Sequence, residues 1–198
     1  MSMSSKASPA VASVACTLAA GLLTLLLLDL GPLSAPMAWH IGAMNVAAPL
    51  AALAVAPRLP PGDRPVAFWM VCVLQIVLLW GSHAPSFHHA LMKPALATAA
   101  HAALFAVALA FWTLLLDRMG RSAWQALLAL LLTGKLACLL GALLVLAPRP
   151  LYTGAELADQ QLAGLLMVTA CPLSYLVAGV VVAARLIAGA GARVADAG

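Results

Sequence analysis

Six long apolar runs, separated by short gaps, occupy most of this chain and decide what it can fold into. They lie at 9–30, 35–56, 65–80, 94–116, 123–146 and 161–184. About 20 residues of α-helix cross the hydrocarbon core of a bilayer, and a spanning segment must satisfy its own backbone hydrogen bonds. We therefore predict an all-α, polytopic membrane bundle of about six transmembrane helices, forming one integral membrane domain over 1–198.

Composition supports a membrane environment. The chain is 65% hydrophobic and 8% charged, with a mean hydropathy of +1.06, whereas about a quarter of the residues in soluble domains are charged. The net charge of +4 comes from scattered Lys and Arg residues, without the basic stripe typical of nucleic-acid binding. The four cysteines form no CxxC motif, so no disulfide framework is predicted.

Three of the runs have individual features. The run at 9–30 has a longer apolar core than the 7–15 residues of a secretory signal, so we expect a retained helix. The run at 65–80 is the shortest, so we expect it either to stand upright in the bilayer or to extend into Gly81. Pro172 lies inside the last run, where we expect a kink without a break.

The orientation follows from the Lys and Arg residues between the runs, because cytoplasmic loops are enriched in them. With the N-terminus inside, the outer side holds only Lys93 and Arg149. The inner side then holds seven: Lys6, Arg58, Arg64, Arg118, Arg121, Arg185 and Arg193. Both termini are therefore predicted to be cytoplasmic.

Histidine and methionine residues gather on the predicted outer side. The stretch WGSHAPSFHHALMKPALATAAH, at 80–101, contains four of the five histidines: His83, His88, His89 and His101. The fifth, His40, begins the second run beside Met37 and Met44. Imidazole and thioether groups are costly at a membrane boundary unless they bind something.

The spacing of Met37, His40 and Met44 is i, i+3, i+7, which places them on one face of a regular helix. Soft thioether with imidazole suits Cu(I). Met44, His101 and Met167 would lie about 9–13 Å into their helices at 1.5 Å per residue. Two interpretations stay open: a Cu(I) site, or methionine packing with a hydrogen-bonded interfacial histidine.

Polar residues that open the last run can support such a site. Asp159 is either a helix cap or an acceptor for the N–H of a ligating histidine. Gln160 and Met167 lie on one stripe of the helix. Together with Asp159 they are predicted to surround the ligands. Lys135 stands in the middle of the fifth run. Gln75, in the third run, is the only strongly polar side chain expected at a similar depth. The role of Lys135 stays open.

Several segments together resemble the multi-spanning CtaG family of cytochrome c oxidase assembly factors, the caa-type oxidase group. In chain order they are WHIGAMNVAAPLAAL, WGSHAP, AAHAALFAVALAFW, LLGALLVLAPRPLY and ADQQLAGLLMV. The chain departs from the family where Met44 and Ala97 replace further histidines, and where His83 stands two residues farther from Trp80. The family also often has seven spans.

The resemblance implies a role in maturing a haem–copper oxidase by binding or delivering copper at the periplasmic face of a bacterial cytoplasmic (inner) membrane. We predict a non-enzymatic metallochaperone for Cu(I), with an oxidase subunit as its partner in the membrane. The predicted ligands are His40, Met44, His83 and His101, with Met37, His88 and His89 guiding the approaching ion. A homodimer stays open.

Two alternatives remain at this point. His40 and His101 lie on different runs at depths that suit the axial ligands of a haem-binding membrane oxidoreductase. A metal transporter would need polar groups at mid-depth, for which Lys135, Gln75 and Thr133 are the candidates. Hydrolytic and nucleotide chemistry are not indicated, because HExxH, GxSxG and P-loop motifs are absent from the sequence.

Overall fold

The structure is a computed structural model that describes residues 30–58, 62–91 and 93–195, the side chains of residues 88, 89 and 190–195 excepted. The predicted first span at 9–30 therefore lies outside the described residues, apart from Leu30. The same holds for our expectation that this run is a retained helix.

The described ranges are helical and contain no strand. The helices are α1 Ser34–Arg58, α2 Pro65–Ser82, α3 Pro85–Leu91, α4 Pro94–Arg121, α5 Ala123–Leu146, α6 Leu157–Thr169 and α7 Cys171–Ala195. Within the described part, five stretches are long and apolar enough to cross a membrane, the fifth being Leu157–Gly189 across α6 and α7. The all-α class is confirmed, and each of the five later apolar runs lies in a helical stretch that is a candidate membrane span.

Proline residues set several helix starts. Pro65, Pro85 and Pro94 each occupy the first position of a helix, where the missing N–H costs no hydrogen bond and φ is already helical. The short run ends at Ser82, as the expected extension into Gly81 requires. The gap between the apolar runs at 65–80 and 94–116 is not a simple loop, because Pro85 begins the seven-residue helix α3 there.

The last span is interrupted at one residue, two positions before Pro172. Helix α6 ends at Thr169 and α7 begins at Cys171, while Ala170 between them keeps right-handed helical angles (φ −89°, ψ −37°). Its N–H still donates to the carbonyl of Leu166 at 2.9 Å. Because proline lacks an N–H and crowds the carbonyl four residues earlier, the helix is disturbed here without ending, as the sequence predicts.

Helix α1 widens into a π-helical segment at Ala43–Ala47, which the sequence analysis did not predict. Pro49 explains the segment, because its ring crowds the carbonyl of Asn45 four residues earlier. In a π-helix a carbonyl accepts from the N–H five residues later. For Met44 that residue is Pro49, which has no N–H. The indole Nε1 of Trp112 donates to this carbonyl instead, at 3.1 Å.

Helices α5 and α6 cross with their backbones in contact. A Cβ atom on Gly164 would lie 2.7 Å from the carbonyl oxygen of Gly141, and one on Gly141 would lie 2.8 Å from the Cβ of Met167. Small residues at such crossings allow the close packing that holds membrane helices together. The crossing fixes α6 against the end of α5.

The centre of the bundle is aromatic and contains one buried polar pair. Tyr175 stacks on Trp112 with ring centroids 5.3 Å apart, and its hydroxyl accepts a hydrogen bond from Nε2 of Gln75 at 2.7 Å. Gln75 therefore interacts with Tyr175, whereas Lys135 on α5 is exposed on the outside of the bundle.

The helix crossing predicts the cost of a single methyl group. Gly164→Ala should lower the free energy of unfolding by about 1–3 kcal/mol, because α5 and α6 must separate. Gly120→Ala is the matched control, since nothing lies within 4 Å of a Cβ at that helical position, and it should be neutral or stabilising by up to about 1 kcal/mol. Unfolding in detergent mixtures, followed by tryptophan fluorescence, measures both; equal effects would contradict the crossing.

Candidate metal centre

A cavity of about 230 Å³ opens at one end of the bundle, where α1, α4 and α6 begin and α2 and α5 end. We call it the His cavity. Its lining is mostly apolar, with three imidazoles, one thioether and two hydroxyl groups: Pro32, Leu33, Pro36, Met37, His40, Ser82, His83, Leu91, Ala97, Ala100, His101, Leu104, Leu144, Tyr152 and Ala163.

His40 and His83 meet at the bottom of this cavity. Their ring centroids are 5.4 Å apart and their planes stand at 89°. His40 is only 5% exposed, and within the described residues its Nε2 has no hydrogen-bond partner. Buried polar atoms are nearly always hydrogen-bonded, so this nitrogen is a candidate for binding something that the protein itself does not supply.

His83 and His101 are oriented by the backbone in the same way. Nδ1 of His83 lies 2.7 Å from the carbonyl oxygen of Leu79, and Nδ1 of His101 lies 2.7 Å from that of Ala97. Because a carbonyl only accepts, Nδ1 is the donor in both contacts, and the neutral tautomer that fits this contact has its lone pair on Nε2. A hydrogen bond of this kind commonly fixes the tautomer of a metal-binding histidine.

The environment of His83 favours its neutral form. It lies just beyond the end of α2, and burial lowers its pKa below the ordinary value of 6.5. The hydrogen bond to Leu79 opposes this shift, while repulsion from His101 adds to it. His101 itself is exposed at the mouth of the cavity.

The two methionines of the predicted triplet separate. Met37 lines the His cavity beside His40. Met44, the second residue of the π-helical segment, is buried in the hydrophobic core and does not line the cavity. The i+7 relation between them assumes a regular helix, and the segment that Pro49 induces is not regular. The role of Met44 as a ligand stays a prediction.

Asp159 caps a helix other than its own. Its carboxylate accepts hydrogen bonds from the N–H groups of Leu33 (2.7 Å) and Ser34 (3.1 Å) and from Oγ of Ser34 (2.6 Å), all at the start of α1. Gly31 packs so closely that an added Cβ would lie 2.3 Å from Oδ1 of Asp159. The cap interpretation thus applies, although to α1 and not to α6.

Gln160 and Met167 hold the framework behind the cavity and do not line it. Oε1 of Gln160 accepts from the N–H of Leu151 at 2.6 Å, and its Nε2 donates to the carbonyl of Leu144 at 3.1 Å. Met167 is fully buried at the α5–α6 crossing, where its Cβ lies against Gly141. Their predicted role around the ligands stays untested.

Sequence reasoning missed Tyr152, which lines the cavity from the segment between α5 and α6. Its hydroxyl donates to the carbonyl oxygen of His83 at 2.8 Å. This contact ties the segment to the end of α2 and so helps to position His83. Nothing in the sequence pointed to it, because the acceptor is a backbone group.

The donor set has clear limits. In the part of the chain that the structure describes, no group of three or more His, Cys, Asp or Glu side chains stands together as a metal site. What the cavity brings together is imidazole with thioether: His40, His83, His101 and Met37. The predicted His88 and His89 lie in α3, and their side chains are outside the description.

The cap on α1 yields a stability prediction. Asp159→Asn presents an amide N–H₂ to N–H donors and should cost about 1–3 kcal/mol of unfolding free energy. Asp117→Asn is the control, because among the described residues Asp117 pairs only with Arg121, at (i, i+4) and 3.1 Å, a contact worth about 0.3–0.5 kcal/mol. Thermal unfolding in detergent compares them; an equal loss for both would contradict the cap.

Comparison with known proteins agrees with this architecture. Residues 9–188 match the family described as cytochrome c oxidase caa3 assembly factor (Caa3_CtaG), a range that contains every residue lining the His cavity. Searches of curated proteins and of solved structures found no match. The resemblance carried by the histidine-bearing segments is confirmed, and the chain belongs to the Caa3_CtaG family of cytochrome c oxidase caa3 assembly factors.

Proposed function

We propose that this assembly factor holds Cu(I) as cargo in the His cavity and passes it to the oxidase, with His40, His83 and Met37 as ligands and His101 at the mouth. One observation carries the proposal. Nε2 of His40 is buried without a hydrogen-bond partner among the described residues, and its ring lies 5.4 Å from that of His83.

The chemistry of the donor set favours Cu(I) over other ions. Thioether sulfur prefers a soft ion, and Met37 lines the same cavity as the two histidines. A structural Zn²⁺ site normally has four Cys, His or carboxylate ligands, whereas the described residues offer no group of even three. Two imidazoles and a thioether therefore suit a Cu(I) carrier better than a zinc protein.

The proposed orientation puts the His cavity on the periplasmic side of the bacterial cytoplasmic membrane. Lys93 and Arg149 lie at the cavity end of the bundle. The opposite end carries five arginines with described side chains: Arg58, Arg64, Arg118, Arg121 and Arg185. Cytoplasmic loops carry the excess of positive charge. His88 and His89, in α3 beside the cavity, would guide the ion toward it.

A metallochaperone accounts for the cavity better than either alternative. Its volume of about 230 Å³ is below the roughly 300–1,000 Å³ of clefts that hold drug-sized ligands, which argues against haem. Transport needs polar groups along a path at mid-depth. Of the three candidates, Gln75 and Thr133 are buried inside the bundle, with Nε2 of Gln75 bonded to Tyr175. Lys135 is exposed on the outside, so the three do not line one path.

Anaerobic Cu(I) titration of the purified protein tests the ligand set. Met37→Leu is close to volume-neutral and should weaken Cu(I) binding at least about tenfold, because it removes the only soft donor among the described residues of the cavity lining. Met44→Leu is the matched control and should bind like the wild type, since Met44 does not line the cavity. The reverse ranking would make Met44 the ligand.

The same titration with His40→Ala/His101→Ala tests the site as a whole. The double variant should bind Cu(I) far more weakly than the wild type, provided that both unfold at similar temperatures. Equal and weak binding in both would remove the copper claim.

In cells, deletion of the gene should leave oxidase subunits present but deficient in copper, whereas loss of the subunits themselves would point to a scaffold.

A further inference from the structure

Lys135 occupies an unusual place in a membrane helix. It lies twelve residues after Ala123 and eleven before Leu146, the two ends of α5, which is about 17 Å from either end at 1.5 Å per residue. Its side chain is exposed on the outside of the bundle. Apolar side chains share this face and are also exposed: Leu128, Leu131, Leu132, Leu139 and Leu143.

The side chain cannot escape the hydrocarbon by stretching. An extended lysine reaches about 6 Å from its Cα, whereas half of the hydrocarbon core is about 15 Å. Ionisable residues at such depth normally face the bundle interior or pair with another polar group. Lys135 faces outward, and within the described ranges it has no ion pair.

The chain itself has no acid to offer at that depth. Its six acidic residues all lie near the ends of the apolar runs or beyond them: Asp29, Asp63, Asp117, Glu156, Asp159 and Asp196. This includes Asp29, the only acid in the stretch that precedes Leu30. A second copy of the chain carries the same six residues, so a homodimer would not supply a mid-depth carboxylate either.

We propose that the outward face of α5 around Lys135 docks a transmembrane helix of a different protein, which carries an Asp or Glu near the middle of the bilayer. Exposed side chains recur at i, i+3, i+7 and i+11 from Leu128 to Leu139, with Lys135 at i+7 and leucine at the other three positions. This spacing lines one face of the helix, as a packed helix pair requires. A carboxylate would pair with the lysine where water is absent. The inference does not depend on copper binding.

Photo-crosslinking in native membranes tests this surface. A photoreactive amino acid replaces Leu139, one turn from Lys135 on the same face, in the full chain; the control replaces Val180, an exposed residue of α7. We expect a crosslink from position 139 to a membrane protein whose spanning helix contains a mid-depth Asp or Glu. Lys135→Leu should lower its yield about tenfold or more, while Lys135→Arg should keep it.

Exchange of the charges makes the test specific. Replacing the partner's acid with Asn or Gln should lower the yield as Lys135→Leu does, and Lys135→Asp combined with acid→Lys in the partner should restore it. A crosslink to a second copy, to a helix without an acid, to nothing, or one that Lys135→Leu leaves unchanged would overturn the proposal. Lys135→Leu should keep wild-type Cu(I) binding, which separates this proposal from the copper claim.

Discussion

The carboxylate of Asp159 joins the two helices on which the His cavity depends. It lies in the first turn of α6 and accepts three hydrogen bonds from the first turn of α1, at 2.7, 3.1 and 2.6 Å. Helix α1 carries Met37 and His40, and α6 is fixed against α5 where Gly141 meets Gly164. In a low-dielectric environment such charge-assisted bonds are strong, so the position of His40 follows from this contact.

The cavity and the outward lysine illustrate two ways in which a membrane protein uses polar groups. In the cavity, backbone carbonyls orient the rings of His83 and His101, and the apolar lining leaves Nε2 of His40 without a partner in the described structure. Lys135 instead is exposed on the outside of the bundle, near the middle of α5. In the two proposals, the cavity holds the cargo and the face around Lys135 docks a helix of a partner protein. These two features are suited to those tasks.

The sequence predicts the all-α class and the later spans because the length and apolar character of each run decide them. The run at 123–146, for example, has the same bounds as α5. It also finds the histidines that line the cavity, since they gather at the ends of runs. It fails where tertiary contacts decide the outcome. The π-helical segment depends on Pro49 and on the distant Trp112, so Met44 leaves the face on which helical spacing put it. Asp159 caps a helix 125 residues away, and Tyr152 bonds a carbonyl; neither interaction leaves a pattern in the sequence.

The central claim is that the His cavity holds Cu(I) through imidazole and the Met37 thioether. X-ray absorption at the copper edge, on protein loaded with one equivalent of Cu(I), examines the ligand atoms directly. We expect a mixed shell of imidazole nitrogen and one sulfur, with the sulfur lost in Met37→Leu and retained in Met44→Leu. A shell of sulfur alone, or a sulfur signal that Met37→Leu leaves unchanged, would contradict it.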